Sequence, residues 1–211
     1  MEDTMECQQE TIVIQGNRVA LGLIGMHHLP QITRIVNDVR VARFIMASPP
    51  LYPENEKEWL ERLAKRNDTD KVFAVFLKNK TEDGAPYTYI GHMGLHLRNQ
   101  QLDVGTTGAV LAPEYLGKGY GTEAKMLLLY LGFRFFGVRK VCSLVLASNT
   151  RSRRYLENTG YRQIGVYEKH IFRDGVLQDE YIYELFAEEW TPIWDEYREK
   201  HGISDPMPTL S

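Results

Sequence analysis

The run Ala112-Pro113-Glu114-Tyr115-Leu116-Gly117-Lys118-Gly119-Tyr120-Gly121-Thr122-Glu123-Ala124 decides how the chain is read. Its three glycines fall at every second position, after a predicted strand at 104–111 and at the start of a predicted apolar helix at 119–136. Glycine there lets successive backbone N–H groups turn toward one point without a Cβ in the way. The helix adds the unpaired amides of its first turn and the positive end of its dipole. Such a loop is an anion seat, ordinarily for phosphate. A glycine-rich helix entry that bound nothing would cost up to about 1 kcal/mol per glycine against alanine, so three need a reason.

The spacing excludes two nucleotide motifs. Lys118 lies between glycines and Thr122 follows Gly121, which does not fit the triphosphate pattern G-x-x-x-x-G-K-[ST]. Uniform one-residue gaps do not fit the dinucleotide pattern G-x-G-x-x-G. The stretch Leu116-Gly117-Lys118-Gly119-Tyr120-Gly121 is similar to the acetyl-CoA loop of the GNAT N-acetyltransferases, [RQ]-x-x-G-x-[GA], with Leu116 where Arg or Gln is usual. The wider string Pro-Glu-Tyr-x-Gly-Lys-Gly-Tyr-x-Thr-Glu-Ala resembles the RimJ/RimL branch, which acetylates α-amines of protein N-termini and various small amines. The resemblance implies that Val110, Leu111, Leu116, Gly117, Lys118, Gly119, Tyr120, Gly121 and Thr122 hold acetyl-CoA as co-substrate. Backbone amides near Leu111 would polarise its thioester carbonyl.

A second motif follows one helix and one strand later. The run at 149–161, Asn-Thr-Arg-Ser-Arg-Arg-Tyr-Leu-Glu-Asn-Thr-Gly-Tyr, resembles the RimJ/RimL pattern N-x-x-S-x-x-x-x-E-x-x-G-[FY]. By that resemblance Asn149 contacts the pantetheine arm, and Ser152 lies near the thiol, where it can protonate the leaving thiolate. Asn149 also reads as a helix cap, and the two roles coexist. Many GNAT enzymes place a general-acid tyrosine seven residues after the asparagine, a position held here by Leu156. Tyr155 lies one residue earlier, a helical rotation of about 100°. It stands as the substitute acid beside a reading as a packed core side chain. Arg151, Arg153, Arg154, Lys118, Arg139 and Lys140 form a local basic set for the cofactor phosphates, Lys118 foremost, or a solvated face.

Composition sets the bounds. The 211 residues, 43% hydrophobic and 25% charged, suit one globular domain with an appendage. A net charge of -3 argues against broad nucleic-acid binding. Two cysteines far apart, Cys7 and Cys142, give neither a disulfide scaffold nor a zinc site, and no metal is expected. The acidic N-terminus is unlike a secretory signal. The apolar stretch at 126–136 is well below the ~20 residues a membrane helix needs. The expectation is a cytoplasmic monomer or homodimer.

The chain reads as a tail at 1–10, a first strand at 18–24, and helices at 27–36 and 55–66, with Asn55 capping the second. The Ser-Pro-Pro-Leu-Tyr-Pro stretch at 48–53 cannot be regular helix. Strands at 71–78 and 87–97 flank a turn at 81–86, and another turn at 99–101 leads to 104–111. After the loop and its helix come a strand at 138–147 and a helix at 149–158 closed by Gly160. Strands at 161–172 and 176–186 flank Arg173-Asp174-Gly175, a hairpin signal. A helix at 188–200 and a proline-containing tail at 205–208 end the chain. This order is the one the GNAT resemblance implies over about residues 18–190: an α/β (α+β) fold with a mixed, mostly antiparallel sheet flanked by helices. Two of its strands splay apart to admit acetyl-CoA. The division is a flexible tail at 1–10, the domain at 11–190, and a C-terminal helix and tail at 191–211. Trp190, Trp194 and Tyr197 are expected to pack on the domain or on a second subunit.

An amine must be neutral to attack a thioester. An α-amine titrates near 8 and a lysine side chain near 10.4, a difference of about 3.5 kcal/mol at neutral pH. An α-amine therefore needs little base help. The strand before the loop carries Thr106 where an acid is common in the branch, and Asp103 lies near its start. His92, His96, Glu168, Asp179 and Glu180 are the other groups able to take the proton. The expected reaction is direct attack in a ternary complex, the amine's proton leaving through water. The acceptor is an α-amine; a polyamine or antibiotic-like small amine, or a non-catalytic CoA-binding module, are the alternatives.

Overall fold

The chain enters through a hairpin in which β1 (Ile12–Gln15) turns at Gly16-Asn17 into β2 (Val19–Leu23). The computed structural model describes residues 10–46, 49–66, 68–78, 85–97 and 103–204. A 3₁₀ turn at Met26–His28 leads into α1 (Leu29–Val36), followed by α2 (Val39–Ala42) and α3 (Pro53–Lys65). Three strands follow, β3 (Asp70–Lys78), β4 (Tyr87–Leu97) and β5 (Val104–Leu111), the last running into the glycine loop. Helix α4 (Tyr120–Tyr130) widens into a π turn at Leu131–Phe135. Then come β6 (Lys140–Leu146), α5 (Thr150–Glu157), the long hairpin of β7 (Arg162–Arg173) and β8 (Val176–Phe186), and α6 (Ala187–His201).

The strands form one eight-stranded sheet in the order β1-β2-β3-β4-β5-β6-β8-β7. Neighbours are antiparallel except β5 and β6, which run parallel. That parallel pairing joins only Val104 to Lys140, Gly105 to Val141 and Thr106 to Cys142. Beyond it the strands part. A small polar knot sits where they separate: the Ser143 hydroxyl donates to the Thr107 carbonyl at 3.0 Å, and Thr107 Oγ1 lies 2.7 Å from Ser143 Oγ and 2.8 Å from the Tyr161 hydroxyl.

Burial divides the helices between the two faces. Ala124 and the run from Met126 to Leu131 are all buried and pack with Trp190 and Trp194 of α6, Leu156 of α5 and the inner residues of β2, β4 and β8. On the other face α1, α2 and α3 close over Tyr89 and Val110. The tryptophans stack at 5.4 Å within the main core, so the expected division at 190/191 falls inside α6, at a point where the helix is part of the domain.

Strands 87–97 and 104–111 lie where the sequence places them. Four expectations change. The hairpin strand β1 precedes the expected first strand, with Gly16 N–H donating to the Val19 carbonyl at 2.8 Å across its turn. The helix expected from 27 begins as a 3₁₀ turn. Helix α3 starts at Pro53 and its cap is Tyr52; Asn55 sits a turn inside and accepts from the Tyr52 N–H at 3.0 Å. Proline at the first helical position explains that earlier start. The helix expected at 119–136 is interrupted by the π turn. The turns expected at 81–86 and 99–101, the tail at 1–10 and the tail at 205–208 fall wholly or mostly outside the described residues, as do Ser48 and Cys7. No helix among the described residues is long and apolar enough to cross a membrane.

Candidate active site

The glycine loop takes its shape from two left-handed residues. Gly117 has φ +73° and Gly119, the residue capping α4, has φ +83°. An L side chain in that region costs roughly 1–2 kcal/mol. Together they swing the chain from the end of β5 into α4, so that the N–H groups of Tyr120, Gly121 and Thr122 form the helix's open first turn. Glycine at 121 serves a different need: a Cβ there would stand 3.1 Å from Leu111 Cδ1 and 3.7 Å from the Tyr155 ring.

One arginine, which sequence reasoning missed, straps this turn in place. The Arg18 and Val19 N–H groups donate to Glu123 Oε1 at 2.7 and 3.2 Å, and Arg18 Nε donates to Oε2 at 3.1 Å. Glu123 is 0% exposed. The same guanidinium donates from Nη1 to the Lys118 carbonyl at 3.0 Å and stacks 5.0 Å over the Tyr120 ring. A buried carboxylate is thus satisfied by three N–H donors, and the strand hairpin, the loop and α4 become one piece.

Where β5 and β6 separate, a cavity of about 800 Å³ opens. Its walls include Thr107, Gly108, Ala109, Val110 and Leu111 on one side and Ser143 to Leu146 on the other. The Ala112 N–H goes to Ile90 of β4 at 2.9 Å, and the Thr107 carbonyl faces β6. Strand alternation therefore turns the backbone groups of Ala109 and Leu111 into the gap.

At one end lies the glycine loop, with Leu116, Gly117, Gly119, Gly121 and Thr122. Along the floor lie Asn149, Ser152 and Tyr155 of α5 and its cap. Asn149 Oδ1 accepts from the Ser152 N–H at 3.1 Å, so the capping role and the place in the cavity coexist. The Tyr155 hydroxyl is buried with no hydrogen-bond partner among the described residues. Burial, with Tyr161 nearby, keeps it protonated far above the usual tyrosine range.

The far end is walled by Val41, Phe44, Ile45 and Met46 and by Glu180 of β8. The hairpin tip is tied to this wall: Arg173 donates to the Ile45 carbonyl at 2.9 Å, and Arg43 pairs with Asp174 at 2.8 Å. Glu180 is 3% exposed and is the one carboxylate among the described residues lining the cavity. Burial raises its pKa above the usual carboxylate value, with His170 at 3.9 Å pulling the other way.

The structure thus brings Val110, Leu111, Leu116, Gly117, Gly119, Gly121, Thr122, Asn149, Ser152 and Tyr155 around one cavity, and leaves two predicted residues beside it. Lys118 faces the Tyr115 ring at 5.9 Å, and Tyr120 lies under Arg18. Of the basic set, Arg151 and Arg154 line the cavity. Arg153 donates to the Tyr183 hydroxyl at 3.2 Å, Arg139 pairs with Asp103, and Lys140 pairs with Glu184. Among the proton acceptors considered, only Glu180 reaches the cavity. His92 is half-buried beside Trp59 and bonded to Tyr89, with its pKa lowered to about 4 by desolvation and by His28. His96 bonds to Asp70, and Asp179 accepts from the Lys169 N–H.

A separate cluster, Glu10, His27 and His28, has its ligand-type atoms within 4.8 Å of one another. His28 Nδ1 accepts from the Gly25 N–H at 3.0 Å, so the neutral ring carries its proton on Nε2, toward Glu10. With its proton there, Nε2 has no free lone pair for a metal in this tautomer.

Residues 18–162 match the sequence family described as "Acetyltransferase (GNAT) domain". YnaD of Bacillus subtilis (strain 168), an uncharacterized N-acetyltransferase, is 32% identical over 39% of this chain and 49% of its own length. The chain spans about half the length of the curated relatives it matches. Among solved structures, Mycobacterium smegmatis RimJ in complex with CoA-disulfide superposes with a TM-score of 0.76 at 18% identity, over 90% of this chain and 94% of its own. The spermidine N-acetyltransferase of Vibrio cholerae, in complex with CoA and spermine, does so with a TM-score of 0.73 at 18% identity, over 82% and 98%.

Proposed function

The chain belongs to the GNAT acetyltransferase family, and from that premise we propose that it moves an acetyl group from acetyl-CoA to a primary amine within a ternary complex. The acceptor in this reading is an α-amine of a protein, peptide or amino-acid-like compound, as in the RimJ/RimL branch. The observation that carries the reading is the cleft left by β5 and β6, with the strapped glycine turn at one end and a single buried carboxylate at the other. The residues fit a CoA-type group: two left-handed glycines shape the seat, a Cβ at position 121 would crowd Leu111 and Tyr155 in the cleft, and Arg151 and Arg154 add positive charge.

Acetyl-CoA supplies an activated acyl carbon, at which the C–N bond forms as the C–S bond breaks. The loop amides and the end of the α4 dipole hold the pyrophosphate. The Leu111 N–H, turned into the gap, polarises the carbonyl. Ser152 protonates the departing sulfur. Glu180 takes the amine's proton in this reading, and its raised pKa makes it a stronger base once ionised. Among the described lining residues Glu180 is the only acid, which favours an acceptor with one amine over a polyamine, whose second ammonium would need its own partner. Titration calorimetry with acetyl-CoA, then free-thiol release over a panel of peptides, amino acids and polyamines, tests the reading. CoA binding with thiol release on α-amines is expected; release on spermidine alone would move the acceptor class, and absence of both would leave a non-catalytic module.

A further inference from the structure

Helix α4 buries an unbroken run of residues from Glu123 to Tyr130, and two of them carry charge. Glu123 is explained by the three donors that converge on it. Lys125 has no such explanation. It is 1% exposed, it lines the cleft cavity, and its ammonium contacts two aromatic faces, Tyr155 at 5.5 Å and Tyr161 at 5.6 Å. Among the described residues it has no hydrogen-bond or ion-pair partner that offsets its burial. For the fold alone an apolar side chain would serve better, as Met126, Leu127 and Leu128 do in the same helix.

Register says where the ammonium points. Lys125 follows Gly121 by four residues, so both lie on one face of α4, about 6 Å apart along the axis. Helical side chains lean toward the N-terminus of their helix. Lys125 therefore reaches back beneath the anion seat into the cleft. The tyrosine faces can hold a cation in place without neutralising it. What the site lacks is an oxygen.

We propose that Lys125 is a cofactor-binding residue whose ammonium donates hydrogen bonds to an acceptor oxygen of the phosphopantetheine arm, phosphate or amide carbonyl. The inference rests on the reading of the cleft as a CoA site. It has a protonic consequence. Burial lowers the free lysine to about 7, so near pH 8 most molecules carry it neutral. The titratable and charged groups around it are Tyr155 and Tyr161 at its ammonium, Glu123 on its own helix, and Arg151, Arg154 and Glu180 along the same cavity. An anionic or carbonyl oxygen placed against the amine favours its charged form, so cofactor binding takes up a proton.

The test is calorimetric, using wild-type protein and Lys125→Met, a buried apolar replacement of similar length, with Lys125→Gln as a second variant. CoA, ADP and pantetheine are titrated at pH 8 in two buffers of different ionisation enthalpy. Wild type binds CoA with net proton uptake. Lys125→Met binds CoA about tenfold or more weakly, a loss of roughly 1.4 kcal/mol, takes up no proton, and melts at a higher temperature because a buried amine is gone. A purely structural lysine would not weaken binding while raising stability. Weakened ADP binding assigns the oxygen to phosphate, and weakened pantetheine binding assigns it to an amide carbonyl. CoA affinity and proton uptake unchanged in both variants overturn the proposal alone. Wild-type protein that binds no CoA overturns the transferase reading as well.

Discussion

Gly119 concentrates the demands on the glycine loop in one residue. Its φ of +83° is costly for any side chain, and a Cβ there would stand 3.0 Å from Arg18 Nη2. Gly119→Ala is expected to cost roughly 1–2 kcal/mol of stability and to weaken acetyl-CoA binding, and Gly119→Glu to abolish binding by adding a like charge to the seat. Calorimetry on both variants checks this, and an unaltered affinity in Gly119→Glu would remove the seat. In the proposed reaction the chemistry divides between two other residues. Ser152→Ala should lower kcat and leave cofactor affinity near wild type, measured by thiol release and titration. Glu180→Gln should reduce kcat/KM by about 10²–10⁴ and erase the rise of kcat/KM with pH through the carboxyl's raised pKa. A retained acid limb would show that the proton leaves elsewhere.

Elements are joined by the Arg18–Glu123 strap, and the two partners are unequal. The Glu123 side chain is buried and that of Arg18 is 41% exposed. Glu123→Ala strands the Arg18 and Val19 N–H groups and is expected to cost about 3 kcal/mol, the lower end for a broken buried pair. Arg18→Met leaves both amides satisfied but removes the Nε and Nη1 hydrogen bonds, and should cost about 1.5–2 kcal/mol at this half-exposed site. Denaturant unfolding of the two variants checks the asymmetry.

At this scale the legible and the illegible also separate. The boundaries of β4 and β5 could be read because apolar runs ended at clear turn residues, and the glycine loop because its spacing is unusual in local sequence alone. The β1–β2 hairpin carried a readable signal, Gly16-Asn17 between two apolar runs, and Pro53 marked the start of α3 more firmly than Asn55. Arg18 carried none, since its role depends on a partner 105 residues away, Glu123, and Glu180 stood as one of several equal proton acceptors until the cavity singled it out. Lys125 lies between these cases. A lysine in a helix apolar on all sides is conspicuous, but only the parting of β5 from β6 says what it faces.

For the whole molecule, buried titratable groups predict the course of stability with pH. Lys125 binds a proton up to about 10.5 when unfolded and only to about 7 when folded, so between these values the unfolded state holds the extra proton and stability rises with pH. Tyr155 and Tyr161 are raised by burial, so above about pH 10 the folded state holds the extra protons and stability falls. His92, lowered to about 4, makes stability fall as pH drops from 6.5 toward 4. Unfolding free energies from urea titrations at pH 7.0, 8.5 and 9.5 should climb for wild type by a few kcal/mol in total and stay nearly level for Lys125→Met. A level wild-type curve would mean that the amine is solvated.

The parallel seam of β5 and β6 is three residue pairs long. Five strands stand on one side of it and three on the other, bridged mainly by a knot of hydroxyls and by helices on the faces. A sheet so nearly cut in two behaves like an arch without its keystone. Whatever lodges in the notch couples the halves mechanically, and amide exchange at Ala109, Leu111 and Val145 should slow together when it arrives.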